Sequence, residues 1–198
     1  KSDLRHFGER FPERVVEKAV ERMITRSSNL ATNTVIARVE AKRVTKTLRS
    51  LGARRMTVLR GVEDGKAYAK GLNNTTTAGD LALLLTAIER GRADSATSTR
   101  AMLDILRAQE LNGEIPAGLP EGTPVAHKTG QISGVLHDAA LVYPPGRSPY
   151  VLVVLTSGIP LAVLPMDVTH SMRATRERLD RIRANGNRCS VATVEMLE

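Results

Sequence analysis

This sequence predicts an α+β fold, an antiparallel β-sheet flanked by helices together with an all-helical lobe. Apolar residues at helical spacing dominate the first half of the chain, as in Val15, Val16, Ala19, Val20, Met23 and Ile24. Three β-prone apolar runs then follow one another: Val125-Ala126 leading into His127-Lys128-Thr129-Gly130-Gln131, Val135 to Tyr143, and Tyr150 to Thr156. Short turn-forming stretches separate these runs, Pro144-Pro145-Gly146 among them. Such spacing suits an antiparallel meander, because parallel strands need longer crossovers.

The 198 residues suit one domain, or one domain split into two lobes, and the 41% hydrophobic content allows a sizeable core. Two Phe, three Tyr and no Trp leave little for stacking bases of single-stranded nucleic acid. The net charge of +8 comes largely from arginines scattered through the helical segments and the tail. No helix-turn-helix, zinc or RNA-binding motif accompanies that charge, so no nucleic-acid partner is expected. A basic surface equally suits anionic cell-envelope polymers or small anionic substrates. The single cysteine, Cys189, allows no intrachain disulfide, and no metal or organic cofactor is expected. The chain holds no apolar run of about 18 residues and no signal peptide, so no membrane span is expected. Lys1-Ser2-Asp3-Leu4 reads as the interior of a longer protein.

In chain order, Pro12 to Thr25 read as a helix with Pro12 in its first turn. The small polar residues of Arg26-Ser27-Ser28-Asn29 stop it. A second helix is expected from about Ala31 to Ser50, striped by Val35, Ile36, Val39, Val44 and Leu48, with Gly52 at its end. Ala53 to Asn74 are loop-rich. Thr77-Ala78-Gly79-Asp80 resembles a capping box and opens a third helix, apolar almost all round through Leu81 to Leu85 and ended by Gly91. A fourth helix spans roughly Ser98 to Gln109, and the Gly/Pro-rich stretch Asn112 to Gly122 leads into the strands. Thr169 to Ala184 can form a further helix, and Asn185 to Glu198 show no clear pattern. The expected organisation is a mainly helical lobe over 1–112, strands with a C-terminal helix over 113–184, and a tail over 185–198.

Three places stand out for chemistry: Ser27-Ser28-Asn29 on an interhelical turn, Glu63 in a polar loop, and Lys128-Thr129-Gly130 on the first strand. Together they resemble the penicillin-recognising serine hydrolases, specifically the class A β-lactamases, with their Ser-x-x-Lys, Ser-Asp-Asn and Lys-Thr-Gly signatures. The likeness extends to Met23 through Asn33, to Gly71 through Leu81 and to Val125 through Gly130, in the family's order, and covers about residues 12 to 158. Two departures matter. Ser28 stands where the family has Asp, and no Ser-x-x-Lys occurs among the 198 residues. The resemblance therefore implies a β-lactamase/transpeptidase-like fold, truncated at its N-terminus, whose nucleophile lies upstream.

The resemblance also implies roles. Ser27 relays a proton to the departing lactam nitrogen, a task suited to a hydroxyl that donates and accepts; the turn alone equally allows an N-cap serine. Asn29 holds the substrate's side-chain amide. Lys128 keeps the local potential positive, Thr129 bonds the substrate carboxylate, and Gly130 leaves room for a substrate backbone beside the strand. The backbone N–H of Gln131 supplies half of an oxyanion hole. Glu63 is the candidate base for deacylation, with Asp64 as the alternative, and Asn33 ties that loop to the second helix. His137-Asp138 invites a triad reading, but adjacent strand residues face opposite sides, so His137 reads as structural.

The implied reaction is hydrolysis of a β-lactam amide through an acyl-serine. The alternatives are a penicillin-binding-type peptidase acting on cell-wall peptides, and a non-catalytic fragment or binding module completed by a separate N-terminal fragment. Export to the periplasm or the medium is implied by the resemblance alone.

Overall fold

The structure, a computed structural model, describes residues 13–132, 134–158 and 188–195. The chain forms two compact units, the first ending at Thr76 and the second beginning at Thr77.

The first unit contains α1 (Glu13–Thr25), α2 (Asn29–Val39), α3 (Ala41–Ser50) and the short α4 (Gly65–Ala69). The single helix expected over Ala31 to Ser50 is in fact two. Glu40 separates them with φ +64°, and its N–H still bonds the Ile36 carbonyl. The apolar stripe gives the reason. Val39 and Val44 lie five positions apart, which on one continuous helix is about 140° off a common face. Breaking the helix lets Leu48 and Thr45 bury independently of α2. No glycine or proline marks the break, so it cannot be read locally.

The loop after α3 is pinned from both helices. Thr45 Oγ1 donates to the Val58 carbonyl at 2.9 Å and accepts the Val58 N–H at 2.9 Å. Asn74 Oδ1 accepts the N–H groups of Leu59 and Arg60 at 2.8 and 3.1 Å, and its Nδ2 returns to the Arg60 carbonyl at 3.0 Å. Thr57 and Thr75 pair as an antiparallel bridge. An irregular loop of this length keeps one shape only when side chains satisfy its backbone in this way.

The second unit holds α5 (Ala78–Glu89), α6 (Ala96–Arg107) and a sheet of β1 (Val125–Ile132), β2 (Val135–Val142), β3 (Tyr150–Ser157) and β4 (Arg188–Glu195) in the order β1-β2-β3-β4. All neighbours are antiparallel. The three expected strands form as read. Thr77 caps α5 by accepting the Asp80 N–H at 3.1 Å, and Gly91 takes φ +63° just beyond it. The fourth helix starts two residues earlier than its sequence suggests, because Ser95 is the N-cap and accepts the Ser98 N–H at 3.2 Å. β4 arises where the sequence shows no pattern, and the helix expected over Thr169 to Ala184 lies outside the described residues. α5 and α6 group with the strands in this unit.

One sheet face carries Ala140, Val142, Leu152 and Val154, packed with Ile115, Leu119, Val125 and Tyr150. At the rim, Tyr143 Oη donates to Glu89 Oε2 at 2.6 Å while the Arg107 guanidinium lies 5.2 Å over its ring, which ties β2 to both α5 and α6. Among the described residues no helix is long and apolar enough to cross a membrane.

Candidate active site

In the first unit the interhelical turn is built by its second serine. Ser28, not Ser27, is the N-cap of α2 and accepts the Ala31 N–H at 3.3 Å. Ser27 takes φ +51°, a left-handed backbone uncommon outside glycine. Asn29 is the first residue of α2 and is exposed.

Asn33, one turn further along α2, grips the loop before Glu63. Its Oδ1 accepts the Val62 N–H at 2.8 Å and its Nδ2 donates to the Val62 carbonyl at 3.1 Å. The grip is close enough that a Cβ on Gly61 would meet Asn33 Oδ1 at 2.5 Å, so a side chain there would have to displace the Asn33 amide. Immediately after the grip, Glu63 takes φ +59°. That conformation costs a non-glycine residue on the order of 1 kcal/mol, and the pinned loop sustains it. Glu63 is exposed, and its neighbour Asp64 caps α4, accepting the Ala67 N–H at 2.9 Å. The two acidic residues are thus separated by local structure: one carboxylate caps a helix and the other faces solvent.

In the second unit, Lys128, Thr129, Gly130 and Gln131 lie on β1, the edge strand of the described sheet. Thr129 is buried, Lys128 half-buried and Gln131 exposed. Lys128 Nζ donates to the Thr129 carbonyl at 2.6 Å. Burial pulls its ammonium below the usual lysine range, and the Asp138 and Glu114 carboxylates oppose that shift. A Cβ on Gly130 would meet His137 Cβ at 3.6 Å, an ordinary contact. The fold itself does not require glycine at this position.

Behind this strand lies a polar cluster that the sequence reading passes over. His127 and Asp138 are 1% and 2% exposed. His127 Nδ1 lies 3.1 and 3.2 Å from the two Asp138 carboxylate oxygens, and its Nε2 lies 2.9 Å from Asn112 Oδ1. Asp138 Oδ2 also accepts the Ile115 N–H at 3.0 Å. Glu114, between these connector residues, has a buried Oε2 with no hydrogen-bond partner. Burial first, and the Asp138 charge second, push the Glu114 carboxyl above the usual carboxylate range, against His127 and Lys128.

Asp138 therefore pairs across strands with His127, not with its neighbour His137. His137 is half-buried, and its Nδ1 accepts the Thr156 N–H at 3.0 Å. The pairing register held the missed signal. With Thr129 opposite Asp138 and His127 opposite Ala140, the two polar residues become diagonal neighbours on one face. Among the described residues no group of three or more His, Cys, Asp or Glu side chains is placed to hold a metal ion.

The beta-lactamase enzyme family model matches residues 12–179. A beta-lactamase of Bacillus amyloliquefaciens is 37% identical over 87 residues, which cover 43% of this chain and 28% of that protein. A beta-lactamase of Bacillus licheniformis is 31% identical over 96 residues, 31% of its length. The chain thus spans about a third or less of the curated relatives it matches. Among solved structures, PBP-A superposes with a TM-score of 0.71 at 29% identity, over 86% of this chain and 62% of that one. A beta-lactamase of Sphaerobacter thermophilus does so with a TM-score of 0.71 at 30% identity, over 85% and 63%. The Lys-Thr-Gly edge strand, the serine-capped turn of α2 and the pinned Glu63 loop occur here within one continuous family match, and the chain belongs to the beta-lactamase enzyme family.

Proposed function

We propose that this chain carries the leaving-group, carboxylate-binding and deacylation residues of a serine β-lactam hydrolase whose Ser-x-x-Lys nucleophile lies on a segment outside the 198 residues. The observation that carries this reading is Gly130, a glycine on an exposed strand edge at which the fold tolerates a Cβ, beside a lysine and a threonine. A residue with no side chain next to a cation and a hydroxyl suits a bound carboxylate with its backbone laid along the strand.

In the proposed reaction the upstream serine oxygen bonds the lactam carbonyl carbon, the C–N bond breaks, and Ser27 delivers the proton the nitrogen takes up. Lys128 and Thr129 hold the substrate carboxylate, Asn29 its side-chain amide, and the Gln131 N–H the developing oxyanion. Water then attacks the ester carbon, Glu63 takes its proton, and the serine leaves with a proton restored. Glu63 is favoured over Asp64 because the Asp64 carboxylate already caps α4. We further propose that the protein acts after export.

A penicillin-binding-type peptidase is the second reading. It is supported by the likeness to PBP-A, a variant of which was solved as an acyl-enzyme complex with penicillin G, at 30% identity and a TM-score of 0.70. Titration of the 198-residue chain with penicillin G, followed by amide NMR, tests the site. Shifts at Lys128 through Gln131 and at Asn29 are expected, and none at millimolar ligand would refute it. In a form carrying the nucleophile, Glu63→Gln separates the two readings. A hydrolase then accumulates acyl-enzyme, whereas a peptidase is unaffected.

A further inference from the structure

We propose that His127 is a positioning residue for the Lys128-Thr129-Gly130 strand, acting as a doubly donating imidazolium held between Asp138 and Asn112. Asn112 Nδ2 donates to the Gln109 carbonyl at 3.2 Å, which turns Asn112 Oδ1 toward His127 Nε2 at 2.9 Å. On the other side of the ring stands the Asp138 carboxylate, at 3.1 and 3.2 Å. An amide oxygen and an ionised carboxylate only accept, and a neutral imidazole has one donor. With a neutral ring, a lone pair faces either Asn112 Oδ1 or the ionised Asp138 carboxylate, unless the Asn112 amide flips its oxygen against the Gln109 carbonyl.

The connector resists the second escape. Gln109 is buried, and its Oε1 accepts the N–H groups of Glu110 and Leu111 at 3.0 and 3.1 Å. The charged groups around the ring are Asp138 on β2, Glu114 on the connector and Lys128 next along β1. The buried ring is thus held by the Asp138 carboxylate on one side and by the Asn112 amide oxygen on the other, the paired and hydrogen-bonded condition under which a buried charge is tolerable. The ring links β1 diagonally to β2 and also to the connector. It thereby holds the strand on the side where, among the described residues, no further strand pairs with it. The functional meaning rests on the proposed β-lactam site, whereas the state of the ring does not.

Long-range proton–nitrogen NMR of the 15N-labelled 198-residue chain at neutral pH reads the ring directly. Both His127 nitrogens are expected to carry protons, and a single protonated nitrogen overturns the imidazolium. Asn112 is exposed, so Asn112→Leu spares the core. It is expected to abolish the Nε2 proton signal, to speed amide exchange at Lys128 and Thr129, and to weaken penicillin G binding about tenfold through loss of a bond to a charged group. Asn112→Asp keeps an acceptor and is expected to restore all three. An altered ring with unchanged exchange overturns the positioning role. Absence of penicillin binding by the unmodified chain refutes the β-lactam reading, and the ring and exchange data then decide this proposal alone.

Discussion

Replacing Asn33 by alanine removes both hydrogen bonds that hold Val62, at 2.8 and 3.1 Å. Each bond contributes about 1 kcal/mol net, and the partly buried Val62 groups are left poorly solvated, so the local cost is about 2 to 3 kcal/mol. At about 1.4 kcal/mol per tenfold, opening around Val62 becomes roughly 30- to 150-fold more frequent. Amide hydrogen exchange reads that opening residue by residue. The Val62 amide is expected to accelerate by this factor. Val58, held separately by Thr45 at 2.9 Å, provides the internal control and changes little. Equal acceleration at Val58 and Val62 would mean global destabilisation. No acceleration at Val62 would mean that the bonds do not hold the loop, and the account of how Glu63 keeps φ +59° would fall.

Gly130→Ala is expected to leave the melting temperature unchanged or slightly raised, because the added Cβ meets only an ordinary contact and reduces unfolded-state freedom, while penicillin G binding is lost; a large fall in melting temperature refutes this. Asp138→Ala is expected to cost about 3 to 5 kcal/mol in urea unfolding, since it leaves the Ile115 N–H and His127 buried without their acceptor. Burial and Asp138 raise the Glu114 carboxyl. Its ionisation therefore opposes folding: stability falls as pH rises from about 4.3, the unfolded value, through the raised folded value. Glu114→Gln should flatten that fall and stabilise the chain at neutral pH. His137 is lowered chiefly by burial, against the Leu136 carbonyl. Its contribution is present above about 6.5 and lost as pH falls through the folded value, and His137→Gln should remove this acid-side slope from a series of unfolding curves.

What the sequence alone determined about this protein is what depends on residues close together in the chain. Thr77 before an apolar run and Gly91 after it bracket α5 because caps and left-handed C-terminal residues act within one turn. Alternating β-prone runs joined by short turns specify β1 to β3, and Lys128-Thr129-Gly130 on the first of them carried the family likeness. Tertiary structure decided the rest. Glu40 breaks a helix because two apolar stripes must face different neighbours, which no residue at the break announces. Arg188 to Glu195 become β4 by pairing with β3, a strand more than 30 positions away, and such a segment has no strand identity until its partner is in place. His127 and Asp138 stand 11 positions apart and meet only through the β1–β2 register. Asn33 and Val62, 29 positions apart, meet only once α2 and the loop have folded together. Contacts of that range are paid for in chain entropy and formed by packing, so the local chemistry was legible in the sequence while the geometry that arranges it required the fold.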